Sequence, residues 1–127
     1  MTSISRGFLT AAIVYCLVGM LLGLHMAMTN DHGEMPTHAH IQLIGWVSFF
    51  LFGLFYHHFG GAVRRVLALV HFWIAQAAML GLMIGLWLVY SGQPEYEPIA
   101  AMSAIAYAVS FLVFAAAALP VIWARSD

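Results

Sequence analysis

Apolar residues fill four long blocks of the chain, separated by NDHGEMPT, by a stretch around Arg64 and Arg65, and by SGQPEYEP. Each block is free of charge for about 20 residues, the length an α-helix needs to cross a hydrocarbon layer of about 30 Å. The pattern predicts membrane spans over roughly 7–28, 38–59, 66–90 and 99–124. The expectation is one all-α domain over residues 1–127, a four-transmembrane-helix bundle with no room for a water-soluble domain. The first block follows Arg6 as a signal peptide would, but it exceeds the roughly 7 to 15 apolar residues of a signal core. MAMTN is also a poor cleavage site, so the block is read as the first span.

Composition sharpens this. The chain is 64% hydrophobic and 7% charged, with a mean hydropathy of +0.94, whereas a soluble domain is about 25% charged. A soluble globular protein and a disordered chain are both excluded. A net charge of -1 with no basic stripe leaves nothing to neutralise phosphates, so nucleic acid is excluded as a partner; the lipid bilayer is the expected one. Arg6, Arg64, Arg65 and Arg125 fall on one side of the four spans, and Asp31, Glu34, Glu95 and Glu97 on the other. Lys and Arg are retained on the cytoplasmic side in short loops, so both termini are expected there.

Helices in lipid associate through small residues that let backbones approach. Gly19 and Gly23 form a GxxxG in the first span, Gly81 and Gly85 another in the third, and Ala100, Ala104 and Ala108 a stripe in the fourth. GMLLGLHM and GLMIGLWL align without gaps, as in a duplicated helical hairpin. The glycine faces also offer a route to a homo-oligomer. Cys16 is the only cysteine and lies in mid-membrane, where it is expected to pack rather than pair.

Seven histidines stand against nine fixed charges. His25, His32, His38 and His40 fall at the outer ends of the first two spans, and His57, His58 and His71 at the inner side. His40 and His58 are eighteen residues apart, five turns of an unbroken α-helix and about 27 Å. They would share a face but not one metal ion. With Thr37 as the expected N-cap, the helix start disfavours imidazolium at His38 and His40 and so favours the neutral, ligating form. His57 and His58 sit at a helix end that favours a cation, which suits interfacial residues. An ionisable side chain inside the membrane is a functional candidate by default, which adds His25 and His71. His38 and His40 lie about 200° apart on a helix, the first beside Gln42, Gly45, Phe49 and Tyr56, the second on a more apolar face.

The sequence has no CxxC, HExxH, phosphate loop or serine-centred triad, so hydrolysis and phosphoryl transfer have no support. Met26, Met28 and Met35 bring soft sulfur near the outer histidines, a combination copper accepts.

THAHIQLIGWVSFFLFGLFYHH resembles the second transmembrane helix of subunit I of the heme-copper oxidases, particularly the cbb-type and nitric-oxide-reductase branches. It also resembles a group of small four-span bacterial proteins with an HAHxxLxGW signature, to whose third helix HFWIAQAAMLGLMIGL is similar. The likeness implies a bacterial cytoplasmic (inner) membrane location and a low-spin heme whose axial ligand is His40, or else His38. The copper-site histidines of the large subunits lie on later helices that have no counterpart here, so a complete terminal oxidase is not implied.

The leading expectation is a membrane heme b protein for electron transfer or heme and gas sensing. His40, His25, His38 and His71 are its candidate ligands, with His40 and His25, or a histidine of another copy, as the axial pair. The alternatives are a copper- or zinc-binding accessory protein using the outer histidines, and a cofactor-free structural partner of a respiratory complex.

Overall fold

The computed structural model describes residues 1–125, and no strand occurs among the described residues. Four helices are each long and apolar enough to cross a membrane: α1 (Ser3–Thr29), α2 (Met35–Ala62), α3 (Arg65–Tyr90) and α4 (Pro94–Ile122). The expected all-α, four-helix arrangement is therefore present. All four helices begin ahead of their predicted starts, the third by a single residue and the other three for visible local reasons. Thr2 caps α1 by accepting from the Ser5 amide at 3.2 Å. Pro36 and Pro98 lie in the first turns of α2 and of the α-helical part of α4, where a missing N–H costs nothing. One expectation is corrected here: Thr37 is not the N-cap of the second helix. It lies inside the first turn, buried, and its hydroxyl donates to Glu34 Oε1 at 2.7 Å. At its far end α1 stops on Asn30, whose φ of 54° provides the left-handed residue that ends a helix.

α1 packs chiefly on α2, and α3 on α4, so the bundle is two hairpins. The missing side chains of the GxxxG pairs set both contacts. A Cβ at Gly19 would meet the Gln42 side chain at 2.7 Å, and one at Gly23 would meet the His38 ring at 3.0 Å. On the other hairpin, a Cβ at Gly85 would fall 2.6 Å from the Ala100 amide nitrogen, while Gly81 abuts the Ser103 hydroxyl. Both glycine faces are thus used within one chain, and a second copy would have to pack elsewhere.

The second helix holds a feature the periodicity does not predict, a π-helical stretch over Ile41–Val47. Thr37, Ile41, Gly45 and Phe49 are all buried at a spacing of four. In an α-helix of 3.6 residues per turn, that spacing drifts by about 40° at each step. The wider π turn cancels the drift and keeps the four on one face. Its signature is the Ser48 amide reaching back five residues to the Leu43 carbonyl, which also accepts from the Ser48 hydroxyl at 3.1 Å. Tyr107 of α4 donates to the Ile44 carbonyl at 2.6 Å, and Tyr15 of α1 packs on Gly45. The five-turn alignment of His40 with His58 required an unbroken α-helix and does not hold.

Large side chains such as Leu21, Leu43, Leu51, Met102 and Leu112 face outward, as a lipid solvent requires. Inside, the two ends of the bundle differ. At the arginine end, rings from all four helices interlock: Phe8, Phe52, Tyr56, His71 and Phe114 have centroids 4.6 to 6.2 Å apart. Toward the acidic end the buried side chains are largely aliphatic, Leu22, Met26, Ile41 and Leu82 among them, and clefts open between the helices.

Gly85→Ala is expected to push α3 off the α4 backbone and destabilise the fold by about 1–3 kcal/mol, the usual range for overpacking. Gly61→Ala, whose Cβ meets nothing within 4 Å, should leave it unchanged. Unfolding in mixed micelles reads both.

Candidate functional site

The four candidate histidines occupy four different environments. His38 lies in the α1–α2 interface, half-buried, with Nδ1 at 2.8 Å from the Gly19 carbonyl. His40 is exposed, with Nδ1 at 2.7 Å from the Pro36 carbonyl one turn back. A carbonyl can only accept, so Nδ1 carries the hydrogen in both rings. Their Nε2 atoms therefore hold the lone pair when the rings are neutral, which is the state of a metal-ligating histidine steadied from behind.

His40 opens onto a cleft of about 340 Å³ between α3 and α4. Leu82 and Leu86 form one wall, Ala100, Ala101 and Ala104 the other, and Tyr90 and Glu97 stand at the rim with His40. Part of the alanine stripe of the fourth span is thus a cleft wall as well as a packing surface. A wall of methyl groups accepts a flat apolar ring without forcing side chains aside. His25 lines a separate mouth with Thr29, Asp31, Glu34, Tyr90 and Ser91. Tyr90 borders both clefts, but the two histidines do not converge in one. His32 is exposed in the α1–α2 loop.

His71 is at the opposite end, fully buried, with Nδ1 at 2.8 Å from the Tyr56 hydroxyl, itself 1% exposed. Its Nε2 has no hydrogen-bonding partner. With Tyr56 donating, Nε2 carries the hydrogen, and only the rings of Phe8, Phe52 and Phe114 surround the imidazole. N–H contacts to aromatic faces offset part of such a deficit. The imidazole is thus fully enclosed and makes one polar bond, to Tyr56. His57 and His58 are exposed at the end of α2, rings 5.1 Å apart, in keeping with an interfacial role.

Among the described residues, no three His, Cys, Asp or Glu side chains converge as a metal ion would need. Gln42 Oε1 and Gln76 Nε2 are further buried polar atoms without partners. Gln42 donates to the Cys16 carbonyl at 3.4 Å, beside the His38 contact, so α2 leans on the backbone of α1 through two polar side chains in succession. Sequence reasoning misses Tyr90, Trp87 and Ser91 as cleft residues, because nothing in the third span distinguishes them from interfacial residues at a helix end. It also misses the Tyr56–His71 pair, whose members are fifteen residues apart on two helices. Comparisons with protein families, with curated proteins and with solved structures find no match to this chain.

Tyr56→Phe leaves both nitrogens of His71 without a partner and is expected to destabilise the fold by about 1–3 kcal/mol. In the double variant with His71→Phe neither polar group remains, and most of that loss should be recovered. A double-mutant cycle by thermal unfolding in detergent measures the difference.

Proposed function

We propose that this chain is a membrane heme b protein of oxidase-subunit-I-like type, acting in electron transfer or in heme and gas sensing, with His40 as axial ligand. The observation that carries the reading is the Nδ1 bond of His40 to Pro36, which leaves the lone pair on Nε2 of a residue that borders a cleft walled by alanine and leucine. His38 has the same tautomer, but its ring is held against Gly23 and the Gly19 carbonyl between two helices. A bound heme would supply a one-electron couple or a diatomic-gas site, while the protein sets ligand basicity and dielectric. Leu82, Leu86 and Ala104 would hold one face of the ring against α3 and α4.

His25 lines the neighbouring cleft, so a second histidine to hold the iron would come from another copy of the chain. The arginine end is cytoplasmic by the positive-inside rule, which puts His40 near the outer face of a bacterial cytoplasmic membrane. A redox partner or a respiratory complex would approach from that face. The copper or zinc alternative needs three converging donors and would draw them from more than one chain.

Purified protein reconstituted with heme is expected to show a Soret band with one heme per site. His40→Ala should abolish it, and His71→Phe should leave it in place. Absence of Soret absorption in the parent chain after heme loading, or its survival in His40→Ala, overturns the assignment.

A further inference from the structure

α1 and α3 touch little along their length, and toward the acidic end a groove runs between them. Val18 and Leu22 of α1 form one side, Ile84, Trp87 and Leu88 of α3 the other, and the buried Thr37 and Ile41 of α2 the floor. The space is about 250 Å³ and apolar throughout, because the Thr37 hydroxyl is committed to Glu34. Trp87 also lines the polar mouth above, about 160 Å³, where His25, Asp31, Glu34 and Ser91 gather. From Val18 to His25 is seven residues, so the groove rises about 10 Å before it turns polar. Groove and mouth together have the shape and polarity of an amphiphile held at the membrane surface.

The chemistry of the mouth selects the head. It has two carboxylates, one imidazole and no Lys or Arg, and Glu95 and Glu97 of the next loop add negative charge at the same end. Glu34 is held in place from two helices: Oε1 accepts from Thr37 of α2 and Oε2 from Ser91 after α3, at 2.7 and 2.8 Å. Asp31 Oδ1 accepts from the Gly33 amide at 3.0 Å. Each carboxylate keeps further lone pairs for a donor. A purely anionic head is repelled here. A primary ammonium is attracted and donates hydrogen bonds, which a quaternary ammonium cannot do. An accompanying phosphate finds the His25 imidazole.

We propose that the α1–α3 groove and its mouth bind one phospholipid with a primary-amine head, the ammonium at Glu34 and Asp31 and one acyl chain between Leu22 and Ile84. The site shares only Tyr90 with the His40 cleft and does not rest on the heme reading.

The test uses the full chain in mild detergent, with native mass spectrometry and thermal unfolding in the presence of phosphatidylethanolamine, phosphatidylcholine or phosphatidylglycerol of identical acyl chains. Phosphatidylethanolamine is expected to remain bound at one per chain and to raise the unfolding temperature, and the other two to be lost. Asp31→Asn should weaken retention by about tenfold, the effect of removing one charge-assisted hydrogen bond. Ile84→Trp, which fills the groove from a partly exposed position, should abolish it. Equal retention of the three lipids, or unchanged retention in both variants, overturns the proposal.

Discussion

Contact across the glycines, backbone on backbone at Gly85 and side chain on backbone at Gly19, is the constraint on which the rest of the bundle depends. In lipid, one apolar surface gains nothing by meeting another, so helices stay together through tight packing and polar contacts. At Gly85 a Cβ would reach the Ala100 amide, so α3 and α4 are as close as backbones can be. At Gly19 and Gly23 the vacated space is taken by Gln42 and His38, which turn the approach into hydrogen bonds to the Cys16 and Gly19 carbonyls. One hairpin is closed by sterics alone and the other by sterics plus polar side chains. That difference fixes His38 as part of the fold before any cofactor is considered.

The two hairpins meet differently at their two ends. Bulky rings fill the arginine end, and the Tyr107 hydroxyl ties α4 to the π-helical part of α2. Near the acidic end the hairpins are joined by the Ser91–Glu34 hydrogen bond, and clefts open beside it. One half of the chain encloses His71 among aromatic rings, and in the other His25 and His40 line separate clefts.

Much of this was legible in the sequence. Charge-free blocks gave four helices, because hydrocarbon thickness admits little else, and the GxxxG pairs marked the close contacts. The mistaken part of α2 has a physical cause. Thr37 looked like a cap because Ser and Thr satisfy first-turn amides, but Pro36 needs no amide partner and lets the helix begin earlier. The π turn was written in the spacing of four from Thr37 to Phe49, a pattern hydropathy alone does not separate from an ordinary amphipathic face. The clefts were not legible, since each is lined by side chains from several chain segments, which the pattern along any one helix does not bring together.

What finally distinguishes the histidines is the atom each one faces, not its depth. Both outer rings bonded to carbonyls are obliged to donate through Nδ1, and so each carries a lone pair on Nε2. The inner ring bonded to a phenol is free of that obligation, and the phenol's own hydrogen is best used toward it. The same side chain thereby presents a lone pair on Nε2 at one end of the bundle and a buried ring bonded to a phenol at the other. His38 shows that preparation alone is insufficient, because its ring is wedged on Gly23. His40 combines the prepared nitrogen with an exposed position and an apolar cleft, and that conjunction, more than the HAH motif itself, singles it out.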